Sequence, residues 1–147
     1  MSMTYKNILV AVDETNESRI AFRRAVQLAQ DNVGSRLYIV HVIDTRSFAF
    51  SEGYNFEMAE KFTNNKKDLL DSFEKKAQQA GFTNIKKIIE YGTPKHVIAR
   101  DIPQQEEIDL IICGVTGKGE LARFFLGSVS EGILRNARCD VLVVRNT

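Results

Sequence analysis

The strongest constraint on the fold is a regular alternation of short apolar runs with segments of helical pattern. Runs at 7–12, 36–43, 109–113 and 141–145 are almost continuously apolar, and a more polar run covers 84–91. Continuous apolar residues are typical of strands that are buried on both faces of a parallel sheet. Since a helical segment separates each run from the next, the order is βαβαβαβαβ. We therefore predict an α/β fold, with three layers built on an open five-stranded parallel sheet.

The segments between the apolar runs carry the spacing and the boundary residues of helices. The first covers about 17–31, and the last covers 129–136. Gly92-Thr93-Pro94 predicts the start of a third helix, which Pro103 should kink or end. A long helix is predicted over 56–80, closed by Gly81. The residues of this long helix expected to face the core are Phe62, Leu69, Phe73 and Ala77.

Length and charge limit the possible partners. A chain of 147 residues suggests one domain over 1–147. The net charge of +1 gives no electrostatic reason to expect nucleic acid as a partner. No apolar run is long enough to span a bilayer, and the N-terminus has no secretory pattern, so no membrane association and a cytoplasmic location are expected. Cys113 and Cys139 have no metal-type spacing and are expected to be reduced thiols on or near buried strands.

The loop after the fourth strand, Gly114–Ser128, has the features of a phosphate site. It joins a strand end to a helix start and is rich in glycine. Glycines let backbone N–H groups approach an anion, and the first turn of the helix adds unpaired N–H groups. The loop is not a Walker A motif, because Gly119 follows Gly117-Lys118 where Ser or Thr is needed. A dinucleotide fingerprint is also excluded, because it belongs after the first strand, where this chain has no glycine.

A second candidate group, Asp13, follows the first strand directly. In open α/β sheets, ligands bind outside the carboxyl ends of the strands, where the strand order reverses. If the first and fourth strands are neighbours at that point, Asp13 and Gly114 share one crevice. Two plainer interpretations remain open: Asp13 could only cap the first helix, and the glycines could only serve turn and packing geometry.

The spacing Gly114-x-x-Gly117, then nine residues, then Gly127-Ser128 resembles the ATP-binding branch of the universal stress protein family. The similarity covers essentially the whole chain. It includes the runs 8–13, 41–42, 127–130 and 139–144. The resemblance implies a Rossmann-like fold of the adenine nucleotide alpha hydrolase type, and ATP as ligand with Mg²⁺ bridging its phosphates. It also implies a homodimer through the last strand, 141–145, which the free backbone of an edge strand would favour.

The resemblance also assigns roles to residues at the ends of the first two strands. Asp13 would lie beside the ribose and the phosphates, and Ala11 and Val12 would line the floor of the site. The backbone of Val42 would meet the edge of the adenine. Glu14 departs from the family pattern, because many relatives have a small residue there, and its charge is expected to weaken binding modestly.

Further roles fall on the glycine loop and the start of the last helix. Gly114 and Gly117 would allow the backbone to approach the ribose and phosphate, with Thr116 between them. Lys118 and Arg123 could reach the triphosphate, although solvated positions are the ordinary expectation for such residues. The residues expected to hold the phosphates are Gly127, Ser128, Val129 and Ser130.

The function indicated is that of a small ATP-binding regulatory protein of the stress response. No spacing suggests a catalytic trio, and His41 is expected to be a hydrogen-bonded core histidine, so no catalytic or metal-ligating residue is predicted. Two alternatives remain: a slow ATPase that acts as a nucleotide-dependent switch, and a dimeric interaction module that binds no nucleotide. The polar loop over 44–55 is expected to be a lid or an interaction loop.

Overall fold

The sheet has five parallel strands in the order β3-β2-β1-β4-β5. The computed structural model describes residues 4–46, 56–115 and 127–145. The strands are β1 (Asn7–Ala11), β2 (Arg36–Asp44), β3 (Ile85–Gly92), β4 (Leu110–Gly114) and β5 (Asp140–Val144). The predicted α/β fold with an open five-stranded parallel sheet is confirmed, and β3 and β5 form its two edges.

Helices cover both faces of this sheet. The helical segments are α1 (Asn16–Asp31), α2 (Phe56–Gln79), α3 (Pro94–His96), α4 (Ile102–Glu106) and α5 (Ser128–Asn136). One π-helical turn, Val97–Asp101, joins α3 to α4. Among the described residues, no helix combines the length and the apolar character needed to cross a bilayer.

Two apolar clusters form the layers of the core, one on each face of the sheet. Ile8 and Val10 of β1 belong to the cluster under α1 and α2. Leu9, which lies between them, belongs to the cluster under α3, the π-turn and α5. Because successive side chains of a strand point to opposite faces, a strand covered on both sides needs apolar residues at every position. This requirement explains the continuous apolar runs of the sequence.

The core face of α2 differs from the prediction. Phe73 and Ala77 are buried and Leu69 is partly buried, but Phe62 is 37% exposed, so its assignment to the core was wrong. Leu70 is 1% exposed and is the first fully buried residue of the helix among the side chains that the structure describes. The apolar spacing does not reveal that, among the described side chains, the fully buried positions of this long helix all lie in its C-terminal part.

Pro103 neither ends nor breaks the third helical segment. A proline has no N–H to donate to the carbonyl four residues earlier. The chain widens by one residue just before it, and the N–H of Ile102 bonds the carbonyl of Val97. The helix then continues to Glu106 and ends at Glu107, which has φ of 55°. The π-turn brings Ile98 to the carboxyl end of the sheet.

Candidate functional site

A cavity of about 340 Å³ lies at the carboxyl ends of the central strands. β1 pairs with both β2 and β4, so the strand order reverses here, and the expectation that β1 and β4 are neighbours is confirmed. This is the position where open α/β sheets bind ligands. The predicted site residues that line the cavity are Ala11, Val12, Asp13, Val42, Gly114 and Val129.

The other predicted site residues are not part of this lining. Gly127, Ser128 and Ser130 adjoin Val129 at the start of α5. Thr116 and Gly117, with Lys118 and Arg123, lie outside the described residues, as does most of the 44–55 loop.

One wall of the cavity is apolar. Val40 and Val42 of β2, Ile98 of the π-turn and Ile133 of α5 line it. Cys113 joins this wall, and burial raises the pKa of its thiol to about 12, so the group is neutral at physiological pH. Such a wall suits a flat, uncharged ring better than a charged group.

Asp13 forms a tight turn at the mouth of the cavity. Its N–H donates to Oγ of Ser18 at 2.8 Å, and its Oδ1 accepts from the N–H of Thr15 at 2.8 Å. The N-cap of α1 is Thr15, whose Oγ1 accepts from the N–H of Ser18 at 3.2 Å. The helix-capping interpretation of Asp13 is therefore wrong. Among the described residues, Oδ2 of Asp13 has no hydrogen-bond partner.

Gly114 packs against the backbone of α1. A Cβ at this position would lie 2.6 Å from the carbonyl oxygen of Glu17, which is far inside contact distance. The absence of a side chain therefore allows the first turn of α1 to approach the end of β4. At Gly114, the packing interpretation of the motif glycines is supported.

The start of α5 depends on an unusual backbone conformation. Gly127 has φ of 84° and ψ of 161°, a combination that favours glycine. Its carbonyl accepts from the N–H of Glu131 at 3.0 Å and from Oγ of Ser130 at 3.4 Å. Ser130 is fully buried, whereas Ser128 is exposed. The first-turn N–H groups of a helix lack partners within it, so this terminus is suited to an anion.

The charged groups around the cavity are unevenly distributed. Asp13 and Glu17 line it, and no lysine or arginine of the described chain does. Glu14, next to Asp13 in the chain, forms an ion pair with Lys66 of α2, and this contact lowers the pKa of the Glu14 carboxyl. Lys66 is the more buried partner, with 12% of its side chain exposed. The extra charge of Glu14 is therefore largely offset, which the sequence did not reveal.

His41 adjoins the same cavity. Its Nδ1 lies 2.7 Å from the carbonyl oxygen of Val12. Because a carbonyl can only accept, Nδ1 carries the proton and Nε2 is left as an acceptor in the neutral ring. The predicted hydrogen-bonded histidine is confirmed, but the ring is only half-buried and forms part of the cavity lining.

Sequence reasoning missed the residues that reach the cavity from other parts of the chain. Pro94, Ile98 and Ile133 line it, although none adjoins a motif residue assigned to the site. Their apolar side chains resemble those of any core position. For Pro94, the sequence did give one indication: Gly92-Thr93-Pro94 starts a helix at the carboxyl end of a strand, where ligand sites of such sheets lie.

Comparison with known proteins identifies the family. The model of the universal stress protein family matches residues 4–145. The chain belongs to the universal stress protein family. A putative universal stress protein of Staphylococcus haemolyticus is 43% identical over 143 residues, which are 97% of this chain and 86% of that relative.

Solved structures agree with this assignment to the universal stress proteins. The structure of the hypothetical protein MJ0577 superposes on this chain with a TM-score of 0.84 at 30% identity. The superposition covers 99% of each chain. A universal stress protein crystallised in complex with cAMP has a TM-score of 0.74 at 23% identity, covering 99% of this chain and all of that one. The second similarity shows the shared fold alone.

Proposed function

We propose that this universal stress protein is a small cytoplasmic regulatory protein of the stress response that binds ATP in the central cavity. The observation that carries the proposal is the convergence of three chemically different surfaces. An apolar wall, the carboxylate of Asp13 and the start of α5 meet at one cavity of about 340 Å³. That volume lies in the range of small-molecule sites. The protein would act through its nucleotide state.

Each part of ATP has a chemically suitable position. The adenine would lie against Val40 and Ile98, with its polar edge at the backbone of Val42. The ribose and phosphates would lie near Asp13, and the terminal phosphates would meet the N–H groups at the start of α5 and the exposed hydroxyl of Ser128. Gly117 and Thr116 complete the proposed contacts.

The charge of the cavity supports a cation together with the nucleotide. A triphosphate beside the carboxylates of Asp13 and Glu17 is repelled unless positive charge accompanies it. Mg²⁺ prefers oxygen ligands and binds phosphates with one or two carboxylates and water. Oδ2 of Asp13 is available as such a ligand, while Mg²⁺ would screen the phosphate charge.

No residue is proposed as a catalyst. His41, a general-base candidate in the cavity lining, donates from Nδ1 to the carbonyl of Val12, and this contact orients the ring as part of the wall. Cys113 and Cys139 are both free thiols, and burial raises the pKa of each. Unpaired thiols suit the reducing conditions of the proposed cytoplasmic location.

Titration calorimetry of the purified protein is expected to show one ATP bound per chain in the presence of Mg²⁺. Asp13→Asn should weaken this binding about tenfold, because it removes a charged ligand or hydrogen-bond acceptor. Asp31→Asn, at the far end of α1, is the matched control and should leave the affinity unchanged. If mass spectrometry finds no co-purified nucleotide and calorimetry finds no heat, the interaction-module alternative is favoured instead.

The proposed homodimer uses the outer edge of β5, with which no strand of the described chain pairs. The carbonyl of Val144 accepts from the N–H of Val115 on the β4 side at 3.3 Å. Backbone groups alternate along a strand, so those of Val141 and Val143 face away from the sheet. A second β5 can pair with them about a two-fold axis.

Light scattering at tens of micromolar is expected to give about twice the chain mass of 16.6 kDa. Val143→Pro should give a monomer, because it removes an outward N–H without touching the ladder to β4. Its circular dichroism should match that of the parent chain. A parent protein that is already monomeric at this concentration would contradict the proposed dimer.

A further inference from the structure

At the opposite edge of the sheet, no strand of the described chain pairs with the outer side of β3. The carbonyls of Asn84 and Gly92 accept from the N–H groups of Leu37 and Thr45 at 3.0 and 3.4 Å. Even-numbered residues of this strand therefore direct their backbone groups toward β2. The odd-numbered residues direct theirs away from the sheet, and β3 contains no proline. An edge of this kind can pair with another strand.

The lysines of β3 do not protect this edge. Exposed edge strands are often protected by lysines that obstruct pairing. Here Lys87 is held over the α2 face, with Nζ at 2.6 Å from Asp71 and 2.9 Å from Glu74. Lys86 is held over the opposite face by Glu106 at 2.7 Å. Both ammonium groups are thereby drawn toward the helices.

A groove of about 540 Å³ runs beside the C-terminal half of β3 on the face of Lys86. Glu90, Asp101, Gln104 and Gln105 contribute its polar lining. Glu90 and Asp101 are exposed, and neither has an ion-pair partner within the described chain. The groove therefore presents two uncompensated carboxylates next to a free strand edge. A cationic side chain on an added strand would fit it.

We propose that β3 is an interface for a second copy of this chain, which pairs antiparallel about a two-fold axis at Ile88. In this register Lys87 pairs with Ile89, and Ile85 pairs with Tyr91. These are the residues whose backbone groups face outward, so both strands offer donors and acceptors at matching positions. Ile88 of one copy lies opposite Ile88 of the other.

The charged side chains of β3 favour the axis at Ile88 over an axis one residue earlier or later. With the axis at Ile88, Lys86 of one copy lies opposite Glu90 of the other, on the face that carries the groove. The Lys86 ammonium, which Glu106 already holds on this face, would then lie between that carboxylate and Glu90 of the other copy, and symmetry creates the contact twice. An axis at Lys87 would place two lysines opposite each other, and one at Ile89 would pair no opposite charges. Opposite charges across a strand pair stabilise it, and like charges destabilise it.

The interface is independent of the ATP site and of the β5 dimer. β3 and β5 lie at opposite edges, so use of both would carry assembly beyond two chains. Val143→Pro, which blocks β5, isolates the β3 contact and serves as the background for its test.

Sedimentation velocity of the Val143→Pro protein, from tens to hundreds of micromolar, tests the proposal. This background is expected to form a dimer at the upper concentrations. Glu90→Lys and Lys86→Glu should each lower the association constant about tenfold by creating like-charge pairs. The double exchange should restore it, because the charges are again opposite.

Ile89→Pro provides a second test, since it removes an outward N–H and should abolish association without affecting the pairing with β2. Thermal melting of every variant checks that the fold is intact. A background protein that stays monomeric at hundreds of micromolar overturns the proposal. Equal association of all charge variants overturns the register, and so does a double exchange that fails to restore binding.

Discussion

Gly114→Ala is expected to lower the free energy of unfolding by about 2–3 kcal/mol, in the range of overpacking in a rigid core. The added Cβ would lie 2.6 Å from the carbonyl oxygen of Glu17 and 2.9 Å from its carbonyl carbon. Both atoms are backbone, so a side-chain rotation cannot relieve the contact. Relief requires α1 to move away from β4, which would also shift Asp13 and widen the cavity.

Urea unfolding measures this loss, with a constant m-value as the sign of an unchanged folded state. Gly34→Ala is the control, because it strains the backbone conformation of residue 34 without bringing the new Cβ into contact with other atoms. Gly34 has φ of 87° and no atom within 4 Å of a built Cβ. Its substitution should cost about 1 kcal/mol from the left-handed conformation alone. Equal losses at the two glycines would show that α1 yields easily, and that Gly114 is not needed for packing.

The sequence was sufficient to predict the central strands, because a parallel strand buried on both faces must be apolar at nearly every position. The ends of β1 and β4 followed from this, and the polar residue Asp13 marked the first of them. The helices were less certain. Phe62 and Leu70 are both compatible with an apolar stripe on α2, and only the position of the sheet decides which is covered. The π-turn before Pro103 likewise depends on packing of the whole segment.

The candidate site likewise contains some residues that the sequence could predict and others that it could not. Residues at or near strand ends, such as Asp13 and Gly114, were predictable because topology brings strand ends together. The apolar wall was not, since Ile98 and Ile133 reach the cavity from helices whose positions only the tertiary structure fixes. The pairing of Glu14 with Lys66 was also hidden, because it joins residues 52 positions apart in the chain. Charges that look unfavourable in a sequence can be offset by distant partners.

Gly127→Ala is expected to weaken ATP binding by at least about tenfold, in addition to a stability loss of about 1–3 kcal/mol. The backbone of Gly127, with φ of 84° and ψ of 161°, directs the first turn of α5. An alanine would shift this residue toward negative φ and rotate the N–H groups of Ser128 and Val129. Hydrogen bonds to charged groups are sensitive to such rotation, because they weaken steeply as the donor turns away.

Gly81→Ala separates the effect on binding from the effect on stability. Gly81 has φ of 95°, closes α2 and has no atom within 4 Å of a built Cβ. Both glycines have a positive φ, but α2 ends near the amino end of β3, whereas the cavity lies at the carboxyl ends of the central strands. Gly81→Ala should therefore lower the urea midpoint and leave the calorimetric ATP affinity unchanged. A parallel loss of affinity in both variants would mean that general destabilisation, rather than the orientation of the α5 terminus, controls binding.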